Sequence, residues 1–278
     1  MGDFEGAAAR REASFEQLRQ TATDEEVAEK WQQIAPLINR LAERVATLGE
    51  FDHGHNSALA GDDRATKPYN TSHAFAQSLS AAVDHLHGAK VLVHDAGMLH
   101  LGASSTLARS ALENAATAWW LLHPTSRDER VLRTLRWYSR NFRDQHSAVD
   151  KVPSLAGQGR SLEEKLDGIR AVAAGRGLDP VAAVGGYRMS TVVGEHAQVS
   201  GMGTLFLWQL TSGFAHGRPW AYLGVLEREE YEDEEPGVTR ARLTNTVQFG
   251  LHPPLTALLV LQDSLRVWES RAGVQHRG

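Results

Sequence analysis

One segment limits the fold more than any other part of the sequence. Residues 105–122, STLARSALENAATAWWLL, are apolar around nearly the whole circumference of a helix, and the segment ends at His123-Pro124. A helix that lacks a polar face has to be surrounded by other elements, which places it in the centre of a bundle. The chain has 278 residues, 42% of them apolar, so it can bury a large core. The segment therefore predicts an all-α fold built around this helix.

Apolar residues at helical spacing recur on both sides of this segment. A first amphipathic helix is predicted from Thr23 to Gly49, opened by a capping-box spacing and bent at Pro36. Residues 50–71 are polar and aperiodic, and we predict a long loop there. Further helices are predicted over residues 72–93, 127–150, 161–175, 204–216 and 244–271, the last one interrupted at Pro253-Pro254. Residues 179–194 are Gly-rich with weak periodicity.

A single β excursion and a simple domain organisation complete the predicted fold. Residues 220–226 and 238–243 alternate like strands on either side of the turn-prone Glu235-Pro236-Gly237, which predicts one hairpin before the C-terminal helix. No repeat or long linker marks a domain boundary. We predict N-terminal helices and a polar loop over residues 1–71, a helical bundle over 72–271 and a tail over 272–278. Residues 1–20 are read as a helix or a loose arm.

Composition narrows the classes of function. The chain has no cysteine, which excludes disulfides, thiolate catalysis and cysteine-ligated metals. Its formal net charge is −5, so no global positive field attracts polyanions. The N-terminus lacks the apolar core of a signal peptide, and the apolar windows are too short to span a bilayer. We expect a cytoplasmic protein with no membrane association and no cofactor.

Charged residues on the apolar helix form the first candidate site. Arg109 and Glu113 are four residues apart, so they share a helix face and can pair, and Asn114 follows them. Charged side chains on an apolar helix have to be paired or have a function, since burying an unpaired charge costs roughly several kcal/mol. One reading is a buried ion pair that ties this helix to a neighbour. The other is an Arg that holds an anion and a Glu that orients it or acts as a base.

The end of a later apolar helix forms the second candidate site. Ser212 and His216 are also four residues apart, in the stretch TSGFAHGR, and could form a hydroxyl–imidazole pair. The sequence shows no nucleophile elbow and no oxyanion-hole motif, so a general acid–base or anion-contacting role for His216 is favoured over a hydrolase triad. A His that caps its own helix end is the structural alternative.

These two patterns together resemble uncharacterised bacterial helical proteins related to the HEPN superfamily. The resembling residues are Arg109, Glu113, Ser212, His216 and Gly217, and the likeness covers about residues 72–271. The resemblance implies a helical protein that binds RNA or cleaves it by metal-independent chemistry, as proteins of defence and toxin systems do, and it leaves a homodimer open. Many HEPN ribonucleases have an Arg four to six residues before a His on one helix. Here that interval has no Arg, so Arg109 or Arg218 would have to supply the cation in space.

An Arg-rich helix is the one local polyanion patch that the sequence suggests. Five arginines follow each other at spacings of three and four with aromatic residues between them, as in an RNA-binding strip: Arg130, Arg133, Arg136, Arg140 and Arg143. We assign the RNA contact to Arg133, Arg136 and Arg140. The alternative is a solvated face paired with neighbouring acids.

Two further patterns have simpler readings. Asp84, His87 and His94 lie on one polar stripe of a helix, which resembles half of a metal site but also a solvated face, and no metal is assigned. The acidic run from Glu227 to Glu235 is read as a solvated loop at the hairpin tip.

The tryptophans support a second function class. Trp120 and Trp208 lie on the helices that carry the two candidate sites, and aromatic residues at such positions either fill the core or line a pocket. We therefore assign Asn114, Trp120, Trp208 and Arg218 as ligand-binding. The partner is RNA or a small anionic or aromatic ligand. Besides RNA binding or cleavage, two hypotheses stay open. One is a small-molecule enzyme or binding protein of secondary metabolism with a Trp-lined pocket, and the other is a non-catalytic structural or partner-binding module.

Overall fold

The structure is a computed structural model of the chain, and it describes residues 22–152, 154, 159–232 and 238–273. Within these ranges the predicted fold class is confirmed: the protein is an all-α helical bundle with one two-stranded antiparallel hairpin before the C-terminal helix. Over the same ranges, no helix combines the length and the apolar character needed to cross a membrane. Residues 1–20, the predicted turn at 235–237 and the tail from 274 on lie outside the described residues.

The helices are numbered in chain order. The first six are α1 (Asp24–Ala46), α2 (Ala58–Thr66), α3 (Thr71–Lys90), α4 (Ala103–Leu122), α5 (Arg127–Val149) and α6 (Leu162–Gly175). The remaining elements are α7 (Pro180–Ala183), α8 (Met189–Ser200), α9 (Thr204–Ala215), α10 (Pro219–Val225), β1 (Glu227–Glu232), β2 (Thr239–Thr244) and α11 (Val247–Ala272). A π-helical turn, Val91–Asp95, follows α3.

Local signals placed the helix starts correctly. The Thr23 hydroxyl accepts a hydrogen bond from the Glu26 N–H, and the Glu26 carboxylate accepts one from the Thr23 N–H, which confirms the predicted capping box of α1. Ser161 and Glu164 form the same reciprocal pair at the start of α6. These caps depend on residues three apart, so the sequence shows them directly.

The prediction of a long loop over residues 50–71 is wrong in part. Helix α2 forms inside it, and the Ser57 hydroxyl caps it by accepting from the Ala60 N–H. Its central residue Asp62 is fully buried, and two arginines of α5 neutralise it. The sequence of helix α2 lacks the apolar periodicity that would predict a helix. The ion pairs of the buried Asp62 lie where other helices have a stripe of apolar residues.

Two other helices differ from the prediction. Helix α8 forms where weak periodicity suggested irregular chain, and its buried residues are confined to Val192, Val193 and His196. Such a narrow buried stripe leaves little pattern to read. Helix α11 continues through Pro253 and Pro254, where an interruption was predicted.

The hairpin exists, but its first strand is shifted. The strand was predicted over residues 220–226, but Pro219–Val225 form helix α10. The acidic segment Glu227–Glu232 forms β1 instead, and it pairs with β2. Pro219 at the first turn of α10 has the fixed φ that favours a helix start. All six residues of β1 are exposed, so the acidic run is solvated over this part, and residues 233–235 lie outside the described ranges.

The chain packs into two compact units. Unit 1 comprises Met1–Thr47, Ala81–Glu113 and Gly201–Val260, and unit 2 comprises Leu48–Ser80, Asn114–Ser200 and Leu261–Gly278. Unit 1 has a core cluster made of Leu207, Leu210, Phe214, Ala221, Val225, Leu226 and Phe249. Unit 2 has one made of Tyr69, Val131, Leu135, Leu166, Ile169, Ala173, Ala183 and Val184. The boundaries predicted at residues 71 and 271 stay a prediction.

Candidate functional site

The predicted pairing of Arg109 with Glu113 is confirmed. The Arg109 Nη2 lies 2.7 Å from the Glu113 Oε1, one helical turn along α4. The side chains are 22% and 18% exposed, so both charges are largely removed from water. An ion pair that is buried to this extent is stable only when the other donors and acceptors of both side chains also have hydrogen-bond partners.

Helix α9 satisfies them. The Trp208 Nε1 donates to the Glu113 Oε1 at 2.6 Å, and the Arg109 Nε donates to the Ser212 Oγ at 2.8 Å. The Ser212 hydroxyl in turn donates to the Trp208 carbonyl at 2.7 Å. Arg109, Glu113, Trp208 and Ser212 thus form a closed ring of bonds, which we call the Arg109 network, and it joins α4 to α9 inside unit 1.

The network gives Ser212 a different partner from the one that its spacing suggests. Its hydroxyl donates to a backbone carbonyl and accepts from a guanidinium, so its proton is not directed at His216. Within the described residues no hydroxyl–imidazole bond between Ser212 and His216 forms. A serine whose proton is held by a carbonyl has no base to activate it, and a nucleophilic role for Ser212 finds no support in this geometry.

A pocket of about 460 Å³ opens over the same stretch of α9. Its lining comes from Phe206, Trp208, Gln209, Ser212, Gly213, His216, Arg218 and Trp220. We call it the α9 pocket. It brings together four of the predicted site residues: Trp208, Ser212, His216 and Arg218. Arg109 and Glu113 do not line it but are bonded to two residues that do.

The C-terminal end of α9 shapes the open side of this pocket. The helix ends at Ala215, His216 occupies the C-cap, and Gly217 has a φ of +61°, a left-handed conformation that glycine adopts without strain. The chain then turns into α10. His216 and Arg218 are both exposed, and within the described residues their side chains make no hydrogen bond or ion pair. They are the groups available to a bound anion.

Helices α9 and α10 approach each other closely at Gly213, next to Trp220, the second tryptophan that lines the pocket. A Cβ at Gly213 would lie 2.6 Å from the Ala221 Cβ and 3.0 Å from the Trp220 ring. Glycine at this position therefore lets α10 pack directly on α9. Trp220 is 47% exposed, so its ring remains accessible in the pocket although α10 is anchored. Sequence reasoning did not single out Gln209 or Phe206. The i, i+3, i+7 spacing of Gln209, Ser212 and His216 is the signal that could have found Gln209.

The predicted Arg strip on α5 is not a continuous exposed surface. Arg133 is 9% exposed, and its guanidinium bonds to Glu129, to Glu195 and to the Trp120 carbonyl. Arg136 donates to the Ala182 carbonyl, and Arg140 pairs with Asp144 at the surface. Arg133 and Arg136 are thus engaged by other side chains and by backbone carbonyls, and Arg140 by a surface ion pair within its own helix. The assignment of the RNA contact to Arg133, Arg136 and Arg140 stays a prediction.

Trp120 and Asn114 belong to unit 2 and not to the α9 pocket. Trp120 is 4% exposed, and the Arg133 guanidinium lies over its ring at 5.0 Å from the centroid. Asn114 is half-buried and has a partner of its own. Neither residue lines the α9 pocket, and their assignment as ligand-binding stays a prediction.

The polar stripe of α3 does not gather into a cation site. Asp84 is exposed, and the ring of His94 stacks on Trp31 with the centroids 5.5 Å apart. Among the described residues there is no group of three or more His, Asp or Glu side chains placed to hold a metal ion.

Sequence reasoning also missed a polar constellation in unit 2. The His196 Nε2 lies 3.2 Å from the Asp263 Oδ2, and the Ser200 Oγ lies 3.4 Å from the His196 Nδ1. His196 is 1% exposed, and burial lowers the pKa of its imidazole, against a smaller raising effect of Asp263. Ser200 ends helix α8, where the negative end of the dipole disfavours a developing oxyanion. The group contains the Ser, His and Asp of a catalytic triad. Its buried imidazole and the position of Ser200 at a helix C-terminus are instead typical of a structural hydrogen-bond network.

Comparisons with known proteins leave the resemblance untested. No family model, no curated protein and no solved structure matches this chain. The likeness to HEPN proteins, carried by Arg109, Glu113, Ser212, His216 and Gly217, stays a prediction from the sequence.

Proposed function

We propose that this protein binds single-stranded RNA and that the α9 pocket holds one nucleotide of it. The observation that carries the proposal is the combination, in one space, of indole faces with an unpaired cation. Trp208 and Trp220 offer the faces on which unstacked bases pack, and Arg218 offers a guanidinium to phosphate. The pocket volume of about 460 Å³ lies within the range of small-ligand sites, roughly 300–1,000 Å³.

The charge of the chain defines how this binding depends on salt. With a formal net charge of −5, long-range attraction to RNA is weak, so binding rests on short-range contacts in the pocket. One phosphate contact on a single strand gives a slope of about −0.7 in a plot of log affinity against log salt concentration. We expect that slope for the wild type and a slope near zero for Arg218→Gln.

Fluorescence anisotropy with a short fluorescein-labelled single-stranded RNA tests the proposal. Trp220→Ala and Arg218→Gln should each weaken binding about tenfold, because one removes a stacking face and the other a phosphate contact. Arg40→Gln is the matched control, since Arg40 is exposed on α1 and its loss changes the net charge equally. No binding by the wild type, or an equal loss in the control, contradicts the proposal.

Strand cleavage is the catalytic form of the same proposal. In it, the ribose 2′-oxygen attacks the adjacent phosphorus, its proton passes to the His216 imidazole, the bond from phosphorus to the 5′-oxygen breaks, and water protonates the leaving oxygen. Arg218 takes the charge-stabilising place that the sequence offered to Arg109 or Arg218, since Arg109 is engaged with Glu113 and Ser212.

Gel analysis of RNA incubated with the protein in the presence of a chelator tests the catalytic form. His216→Ala should abolish the cleavage that the wild type shows, while its RNA affinity falls by less than that of Arg218→Gln. A His216→Ala variant that keeps full binding and cleavage removes His216 from the mechanism.

A free aromatic anion is the second candidate ligand. The small volume of the α9 pocket and its two indoles favour a compact ring with a single negative group as much as one nucleotide of a polymer. Calorimetric titration with salicylate and with AMP distinguishes the two. Binding of salicylate without any binding of RNA would favour a small-molecule protein.

A further inference from the structure

We infer that Arg109 and Glu113 are positioning residues, whose role is to hold the Trp208 indole as the platform for the ring of the ligand. This deepens the proposed function and rests on it for the identity of the ligand. It reassigns a pair that the sequence read as catalytic. The inference follows from the hydrogen bonds that Arg109 and Glu113 make to Ser212 and Trp208.

Each side chain of the pair is hydrogen-bonded to a residue that lines the α9 pocket. The Glu113 Oε1 accepts from the Trp208 indole at 2.6 Å and from Arg109 at 2.7 Å. Arg109 donates to Ser212, whose hydroxyl fastens the Trp208 carbonyl. Trp208 is thus held at both ends, by its ring nitrogen and by its backbone oxygen.

Hydrogen bonds that involve a charged group are shorter and stronger than neutral ones, and a carboxylate is a stronger acceptor for an indole N–H than water or an amide. Arg109 provides the counter-charge of the Glu113 carboxylate and holds it in place at an exposure of only 18%. The N–H edge of the indole is therefore engaged by the network. Trp208 also lines the pocket, and the ring of the ligand stacks on its indole in the proposed complex.

A fixed aromatic wall raises affinity because the ligand does not have to order it on binding. The effect of the pair on the ligand then passes through Trp208, so it concerns the ring of the ligand and not its phosphate. The phosphate is left to Arg218, which has no bond to the Arg109 network. This separation makes the inference testable with a nucleotide and the same molecule without its base.

The first experiment compares AMP with ribose 5-phosphate by calorimetric titration of the full chain. Glu113→Ala should weaken AMP binding about tenfold and leave the weak binding of ribose 5-phosphate unchanged. Glu113→Gln, which keeps a carbonyl oxygen for the indole, should recover most of the AMP affinity. The matched control is Glu129→Ala, which removes the carboxylate of another i, i+4 pair, with Arg133, on helix α5.

The second experiment needs no ligand. Acrylamide quenching of tryptophan fluorescence is compared between each variant and its partner that also carries Trp208→Phe, so that the difference reports Trp208 alone. Glu113→Ala should increase the quenching of Trp208, and Glu113→Gln and Glu129→Ala should not.

Three results decide the matter. Equal weakening of AMP and ribose 5-phosphate in Glu113→Ala would show a general structural loss and overturn the inference. Unchanged Trp208 quenching in Glu113→Ala would overturn it as well, whatever the affinities. If the wild type binds neither RNA nor AMP, the proposed function fails, and the quenching experiment still decides whether the pair holds Trp208.

Discussion

Two ion pairs of this protein have the same chemistry and different surroundings. In unit 2, Asp62 is fully buried, and its two oxygens accept from Arg130 at 2.6 and 2.9 Å. The remaining Arg130 donors go to the carbonyls of Pro124 and Thr125 just beyond helix α4. In unit 1, the Arg109 and Glu113 side chains keep about a fifth of their exposure and bond to residues that line a pocket.

The difference separates a packing role from a site role. Asp62 is bonded to the buried Arg130 and to the half-exposed Arg127, and none of these residues lines the α9 pocket, so we expect the cluster to stabilise the fold. The Arg109 network passes its hydrogen bonds to a tryptophan and a serine at the edge of an open space. The proposal that Arg109 and Glu113 serve a binding site therefore rests on the residues to which they are bonded and not on the burial of their charges.

The largest expected effect is on the Asp62 cluster. Asp62→Ala leaves the Arg130 guanidinium buried without its counter-charge, and the free energy of unfolding should fall by about 3–5 kcal/mol. Urea denaturation followed by far-UV circular dichroism measures it. A loss below that of an exposed pair would mean that the cluster is not a stabilising feature.

The exposed pair Arg140–Asp144 is the control for that measurement. Its side chains are 53% and 60% exposed, so Asp144→Ala should change the free energy of unfolding by less than about 1 kcal/mol. The two substitutions differ mainly in the burial of the carboxylate removed.

The two units should also differ in their tolerance of added methyl groups. Gly213→Ala places a Cβ 2.6 Å from Ala221 between two packed helices, and we expect a loss of about 1–3 kcal/mol in the free energy of unfolding together with weaker ligand binding. Gly61→Ala meets the end of Arg127, a half-exposed and flexible side chain that can move aside, and should cost little. Thermal unfolding of both variants compares them, and an equal loss would contradict the rigid packing of α10 on α9.

A smaller effect is expected from pH in unit 2. Burial lowers the pKa of His196 below its value in the unfolded chain, about 6.5. Above that pH both states are neutral there, and below it the unfolded chain binds a proton that the folded chain takes up only at lower pH. The free energy of unfolding should therefore fall as the pH drops below about 6.5, and less steeply in His196→Gln. Urea denaturation across this range measures it; an identical slope in the variant would exclude His196 as the cause.

The smallest change in the free energy of unfolding is expected from the double substitution of Arg109 and Glu113, although it should weaken RNA binding. Replacing the whole pair by Arg109→Met with Glu113→Leu removes both charges together, so the free energy of unfolding should stay within about 1 kcal/mol of the wild type or rise. Affinity for the labelled RNA should nevertheless fall, because Trp208 loses its acceptor. Denaturation and anisotropy on one preparation check both halves. Intact affinity would support a purely structural network.

Comparison of the predicted with the observed elements shows which sequence patterns predict the structure correctly. The capping boxes, the buried α4 segment and the Arg109–Glu113 pair were predictable, because each depends on residues three or four apart. Helix α2 and the engagement of Arg133 were not, because the bond from Arg130 to Asp62 joins residues 68 apart and that from Arg133 to Glu195 joins residues 62 apart. The hairpin was predicted with its first strand displaced, since alternation alone does not distinguish a short helix after Pro219 from a strand.

The sequence by itself determined that this protein is a helical bundle and that polar residues on α4 and α9 need an explanation. Periodicity and capping are local, and burying a charge is costly in any fold. Only the tertiary structure decided what the explanation is. The bonds from Arg109 to Ser212 and from Trp208 to Glu113 join residues 103 and 95 apart, and the α9 pocket exists because Gly213 admits α10. No local rule specifies which distant partners meet.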